Sequence, residues 1–162
     1  MKKNEFYSPH FTLRELTRSR DYPFVPNDPP PEALDCLQSL CDNILEPLRQ
    51  AWMGKIYVTS GYRSPRLNHL VGGVRSSQHV LGQAADITVH DCVLNARLGD
   101  LIQRLQLPFD QLIYEHWNGG MRLCDWVHVS FGPRNRREVL FGVRRNGRME
   151  YRRAGARARS QA

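Results

Sequence analysis

The sequence lacks several features that define common protein classes. No apolar run approaches the ~20 residues of a membrane-spanning helix, and no internal repeat indicates a solenoid. The opening residues, Met-Lys-Lys-Asn-Glu-Phe, have no apolar segment behind the two lysines, so no secretory signal is predicted. The four cysteines form no Cys-x-x-Cys pair, which argues against a cysteine zinc site and predicts reduced thiols. These absences predict a globular protein that is made in the cytoplasm.

The composition is typical of one globular domain. The 162 residues are 41% hydrophobic and 24% charged, and a chain of this length can bury a substantial core. The net charge of +7 is concentrated at the C-terminal end, where residues 144–162 hold seven arginines and one acid. We predict a single domain over residues 1–151 and a basic, flexible tail over 152–162 that attracts an anionic polymer. The tail has no interleaved aromatic residues, so specific nucleic-acid binding is not expected.

Local patterns predict an α+β fold. Thr12 and Glu15 have the spacing of a helix capping box, and Pro47 should bend the long amphipathic helix that contains it. Asn146 and Gly147 form a strong hairpin-turn signal. We expect an antiparallel sheet with helices packed on one face. Helices are predicted over residues 12–19, 31–53, 65–71 and 93–105, and strands over 55–60, 84–89, 111–115, 126–131, 139–143 and 148–151.

Two segments contain residues that suit a metal site. The first reads Ser-Gln-His-Val-Leu-Gly-Gln-Ala-Ala-Asp over residues 77–86, and the second reads Trp-Val-His-Val-Ser over residues 126–130. Zinc accepts imidazole nitrogen and carboxylate oxygen, and a catalytic zinc site keeps three protein ligands and an open fourth position. We therefore predict that His79, Asp86 and His128 bind zinc.

Four segments together resemble a known family. Besides the two above, they are Val-Thr-Ser-Gly-Tyr-Arg-Ser-Pro-Arg-Leu-Asn over residues 58–68 and Phe-Asp-Gln-Leu-Ile-Tyr-Glu over residues 109–115. Their order and residues resemble the zinc D-alanyl-D-alanine carboxypeptidases, which have the hedgehog/DD-peptidase fold. That family includes vancomycin-resistance D,D-dipeptidases and phage L-alanyl-D-glutamate endopeptidases. The resemblance covers about half of the chain and implies the same fold here.

The resemblance also implies roles for residues around the metal. Arg63 would bind the substrate and stabilise the oxyanion that forms during hydrolysis, which suits a guanidinium. Ser77, Tyr62 and Asn68 would contact the substrate or orient its groove.

The general base has two candidates in the sequence. Asp125 lies three residues before His128, as in the acid-x-x-His motif of the carboxypeptidases. Glu115 ends Leu-Ile-Tyr-Glu, as in the short phage-like members. The two strands that carry these residues should pair beside the metal, so the sequence does not decide which carboxylate is the general base.

The resemblance implies a zinc-dependent metallopeptidase that hydrolyses peptide bonds of bacterial cell-wall peptidoglycan. It would be a D-Ala-D-Ala carboxypeptidase or an endolysin-type endopeptidase, and its partner would be the peptidoglycan stem peptide. The alternative is a zinc-containing, non-catalytic cell-wall binding module of the same fold. We expect a monomer, encoded by a phage or prophage, that acts on the cell wall after release from the cytoplasm. The basic tail would contact an anionic cell-wall polymer.

Overall fold

The computed structural model describes residues 6–154 and shows a six-stranded sheet packed with helices, which confirms the α+β prediction. The strand order is β1-β2-β4-β3-β5-β6. None of the helices in this part of the chain has the length and apolar surface to cross a membrane. The helices are α1 (Leu13–Thr17), α2 (Pro31–Leu40), α3 (Glu46–Trp52), α4 (Pro65–Leu70) and α5 (Cys92–Arg104), and the strands are β1 (Tyr57–Ser60), β2 (Ala84–Thr88), β3 (Gln111–Glu115), β4 (Trp126–Ser130), β5 (Glu138–Arg145) and β6 (Arg148–Arg153).

The sheet has one parallel pair, which differs from the expected antiparallel sheet. β3 and β5 are parallel, whereas the other four neighbouring pairs are antiparallel. β4 ends beside the start of β3, since these two strands run in opposite directions. The short link over residues 131–137 then brings the chain past the start of β3, so β5 must run in the same direction as β3.

The hydrophobic core lies on one face of the sheet. In β4, Val127 and Val129 are fully buried and belong to this core, whereas His128 and Ser130 point to the opposite face. Helices α2, α3 and α5 contribute leucine and isoleucine side chains to the same cluster. The opposite face of the sheet is thus available for polar side chains.

The long helix predicted over residues 31–53 is interrupted just before Pro47. A π-helical turn, Cys41–Leu45, separates α2 from α3, and the Glu46 amide donates to the Cys41 carbonyl. Proline has no amide proton, and its ring clashes with the carbonyl four residues earlier. The wider turn accommodates this clash, so the predicted interruption is present as a π bulge. The capping box predicted at Thr12 and Glu15 is also confirmed.

The C-terminal hairpin extends beyond its predicted boundary. Asn146 and Gly147 have φ angles of 48° and 78°, as a tight hairpin turn requires, and β6 continues to Arg153. Arg152 and Arg153 pair with Phe141 and Leu140 of β5, so they belong to the domain and not to the tail predicted over 152–162. Residues 155–162 of that predicted tail lie outside the described residues.

A buried ion pair fixes the link between β4 and β5. The Asp110 side chain is fully buried and accepts hydrogen bonds from the Arg136 guanidinium, the Arg136 amide and the Gln78 side chain. Burial alone would raise the pKa of Asp110, but these donors lower it to about 2. The carboxylate also holds Gln78, which directly precedes His79.

Replacing Asp110 with asparagine should destabilise the domain by about 2 kcal/mol at neutral pH, because the paired charge is lost while the shape is kept. Since the folded-state pKa is lowered, the stabilisation is complete above the unfolded-state pKa of ~4 and disappears as the pH falls towards 2. Denaturant unfolding of both proteins at pH 7, 4 and 2.5 measures this difference. A difference between the two proteins that stays constant down to pH 2.5 would contradict the prediction.

Candidate metal centre

The sheet brings together the three residues that the sequence predicts as zinc ligands. Asp86 of β2 and His128 of β4 are direct partners in the antiparallel ladder, on the face opposite the core. His79 lies in the turn that precedes β2. In the described part of the chain, this is the one group of histidine, cysteine and acidic side chains that could hold a metal ion.

The three donor atoms form a nearly equilateral triangle. His79 Nε2 lies 3.2 Å from His128 Nδ1 and 3.3 Å from Asp86 Oδ1, and His128 Nδ1 lies 2.9 Å from Asp86 Oδ1. Ligand atoms about 2.0–2.1 Å from a tetrahedral zinc ion are about 3.3 Å apart. Two imidazole nitrogens and a carboxylate oxygen at this spacing therefore fit zinc.

The charge state of the triangle also suits a cation. Burial of Asp86 would raise its pKa, but the neighbouring His79 and His128 lower it by more and hold it well below the usual range. The carboxylate is therefore ionised at neutral pH. His79, Asp86 and His128 are 3%, 8% and 9% exposed, so the site is shielded from bulk water on most sides.

Backbone groups fix the orientation of His79. Its Nδ1 donates to the Gly61 carbonyl at 2.7 Å, which leaves the lone pair on Nε2, facing the other two ligands. Gly82 closes the turn, since its amide donates to the His79 carbonyl. Its φ is 69°, and a Cβ there would lie 2.3 Å from the Ala33 carbonyl oxygen, so only glycine fits. The glycine of the motif therefore shapes the loop that presents His79.

Arg63 contacts a predicted ligand. Its Nη2 donates to Asp86 Oδ2 at 2.8 Å, and its Nε donates to the Ser60 hydroxyl at 2.8 Å. The ion pair holds one carboxylate oxygen while Oδ1 faces the two histidines. Arg63 thus orients Asp86, a contact that the sequence did not predict.

Glu115 lies on the metal side of the sheet. Ile113 is the β3 partner of His128, and Glu115 follows two residues later on the same face. The side chain is buried, and burial raises the pKa of Glu115 above its usual value although His128 lowers it. A carboxyl group with a raised pKa is suited to accept and return a proton.

Asp125 has a different environment. It is exposed, with 48% of its side chain accessible, and its Oδ2 is 2.7 Å from His116 Nδ1. Its other oxygen faces the Cys92 thiol. Asp125 directly precedes β4, and both of its carboxylate oxygens have partners other than the three ligands. Of the two candidates, the environment of Glu115 favours the role of general base.

Two of the three predicted substrate-binding residues are structural. Tyr62 is 4% exposed and packs in the hydrophobic core. Asn68 is also 4% exposed, and its side-chain amide donates to the Val74 carbonyl, which fixes the loop after α4. Both side chains are thus engaged by other parts of the protein. Ser77 is half-buried and its hydroxyl accepts from the His79 amide at 3.4 Å, so it orients the loop that presents His79.

An open groove of about 570 Å³ adjoins the metal centre. Asp86 and Trp126 line the groove on the sheet side, and Thr59 and His90 also line it. Asp125 is another lining residue, so it lies beside the same groove as Asp86. Of the three predicted metal ligands, Asp86 is the one that lines this groove.

Some of the groups that shape this site have no signal in the sequence. The Gly61 carbonyl is a backbone atom, which no residue pattern identifies. The Tyr151 hydroxyl lies 3.4 Å from both Glu115 oxygens, although 36 residues separate the two in sequence. Their proximity depends on the parallel pairing of β3 and β5.

A known family model covers most of the residues of this site. The family model described as peptidase M15 matches residues 9–130, about three quarters of the chain. The matched range contains the ligand triangle, Glu115 and Asp125, and it ends before β5. No curated protein matches the sequence.

Proposed function

The chain belongs to the peptidase M15 family of zinc-dependent peptidases, and we propose that it hydrolyses peptide bonds in the stem peptides of bacterial peptidoglycan. The observation that carries the proposal is the triangle of His79, Asp86 and His128 beside a buried glutamate. The sequence resemblance to carboxypeptidases and endopeptidases of the cell wall supports the substrate class.

His79, Asp86 and His128 would hold the zinc ion. When bound, zinc would polarise the scissile carbonyl and lower the pKa of a water at the open position. Glu115 would take a proton from the attacking water and return it to the leaving amine. Burial raises the pKa of Glu115 above its ordinary value, which favours this role.

Arg63 supports both the ligand set and the substrate. Its Nη2 and Nε hold Asp86 and Ser60, whereas Nη1 makes no hydrogen bond within residues 6–154. This free nitrogen would bind an oxygen of the substrate peptide, and its positive charge would stabilise the oxyanion. The groove lined by Asp86 and Trp126 would hold the adjoining part of the stem peptide.

Digestion of purified sacculi tests the proposal. The zinc-loaded protein should release peptide fragments, and mass spectrometry of the new ends identifies the bond that is cut. Loss of terminal D-alanine alone indicates a carboxypeptidase, whereas cleavage within the stem indicates an endopeptidase. Protein from which a chelator has removed the metal is the control and should release no peptide fragments. Intact sacculi after incubation with the zinc-loaded protein would contradict the assignment of substrate.

A further inference from the structure

The β5–β6 hairpin lies next to Glu115 although it is outside the region matched by the family model. β5 pairs with β3 from Gln111 to Tyr114, and the Trp117 amide donates to the Gly142 carbonyl. Gly142 therefore lies beside Glu115, and its partner across the hairpin is Tyr151. The sheet thus presents Glu115, Gly142 and Tyr151 in one row on the face that carries the metal ligands.

The Tyr151 hydroxyl faces the Glu115 carboxylate. It lies 3.4 Å from both Oε1 and Oε2, a distance that is long for a hydrogen bond and equal for the two oxygens. Partial burial, followed by the charge of Glu115, raises the pKa of Tyr151 to about 12. The hydroxyl therefore keeps its proton at neutral pH and acts as a donor to the carboxylate.

Gly142 leaves the space for this contact. A Cβ at this position would lie 2.7 Å from Glu115 Oε2 and 3.1 Å from Tyr151 Cε1. Glycine weakens a strand interior, and its presence there often marks a close approach of other groups. Glycine at position 142 is thus a second, independent sign that the hairpin accommodates the carboxylate of Glu115.

We propose that Tyr151 is a positioning residue that holds the Glu115 carboxylate, so that the β5–β6 hairpin completes the active site. This inference rests on the proposed role of Glu115 as general base. Donation from the hydroxyl restricts rotation of the carboxylate about its last bond and keeps it directed along the metal face. A correctly held base needs less reorganisation when it takes the proton.

Replacing Tyr151 with phenylalanine removes the hydroxyl and keeps the ring. We expect kcat to fall about 10-fold, with KM within about twofold of the wild type and with unchanged zinc content and melting temperature. Tyr7→Phe is the matched control, because the Tyr7 side chain is 73% exposed, and its backbone amide donates to the Gln38 side chain of α2. A rise in KM at constant kcat would place Tyr151 on the substrate and overturn the positioning role.

A double-mutant cycle separates positioning from a general structural effect. In a Glu115→Gln background, Tyr151→Phe should cost less than about twofold in kcat, since the group that it positions is already absent. An equal loss in both backgrounds would overturn the inference. Gly142→Ala should also lower kcat, whereas Gly120→Ala should not, because its Cβ would meet nothing closer than 3.6 Å.

A spectroscopic measurement tests the contact between Tyr151 and Glu115 independently of catalytic activity. The tyrosine ring carbons of Tyr151 are followed by NMR as the pH is raised, and Glu115→Gln should lower the pKa of Tyr151 from about 12. Glu150→Gln is the matched control, since it removes one charge from the neighbouring position, on the opposite face of β6. An unchanged Tyr151 titration in Glu115→Gln would overturn the contact. An inactive wild type with a shifted titration would instead count against the proposed function.

Discussion

Replacing His128 with alanine is expected to remove zinc and peptidase activity together. His128 Nδ1 is one of three donor atoms that lie within 3.3 Å of one another, and two remaining ligands cannot hold the ion at the same affinity. A metal contribution of about 4 kcal/mol corresponds to a loss of about 10³-fold in rate. Metal analysis should find about one zinc per wild-type chain and much less in the variant.

His69→Ala is the matched control for this experiment. His69 is exposed at the end of α4 and contributes no atom to the ligand triangle. The control should keep both zinc and activity, because the substitution removes an imidazole of the same type from the surface. Full zinc occupancy in His128→Ala would remove His128 from the ligand set, whatever the activity of that variant.

Replacing Glu115 with glutamine should lower turnover by about 10²–10⁴-fold while zinc stays bound. Glutamine has the same shape but cannot accept the proton, and Glu115 is not one of the three ligands. The expected result is therefore a folded, zinc-containing protein with very low kcat. Zinc content, the melting temperature and kcat on a soluble stem peptide are measured on the same preparation.

Asp125→Asn is the matched comparison, since it removes the other candidate carboxylate. The Asp125 side chain is half exposed and its oxygens face His116 and Cys92, so we expect a loss of less than about 10-fold. A larger loss in Asp125→Asn than in Glu115→Gln would reverse the assignment of the base. If hydrolysis is equally low in the parent protein and in both variants, the result favours the non-catalytic binding module.

Much of the site could be predicted from the sequence because its signals are local. The spacing of His79 and Asp86 is set within one turn and the strand that follows it, and the alternation in β4 places His128 on the face opposite the core. Gly82 has a positive φ, a conformation that favours glycine, and this requirement is visible in the sequence as a glycine within the short motif. The elements themselves follow from capping, apolar spacing and turn residues, which act over a few positions.

The choice between two carboxylates needed the tertiary structure. Glu115 and Asp125 lie at the ends of adjacent strands, and their sequence positions place both near the metal. Burial, the charge of His128 and the partners of each oxygen distinguish them, and all three depend on neighbours that are distant in sequence. The burial of Tyr62 and Asn68 was missed for the same reason, since a motif shows which residues recur and not which way their side chains point.

By itself, then, the sequence determined the α+β class, the ligand triangle and the loop that presents His79. The tertiary structure decided the parallel pairing of β3 and β5, and with it the contact between Tyr151 and Glu115. The physical reason is the route of the chain after β4. A short link anchored on Asp110 leads β5 to the free edge of β3, and no local pattern specifies which edge a hairpin will join.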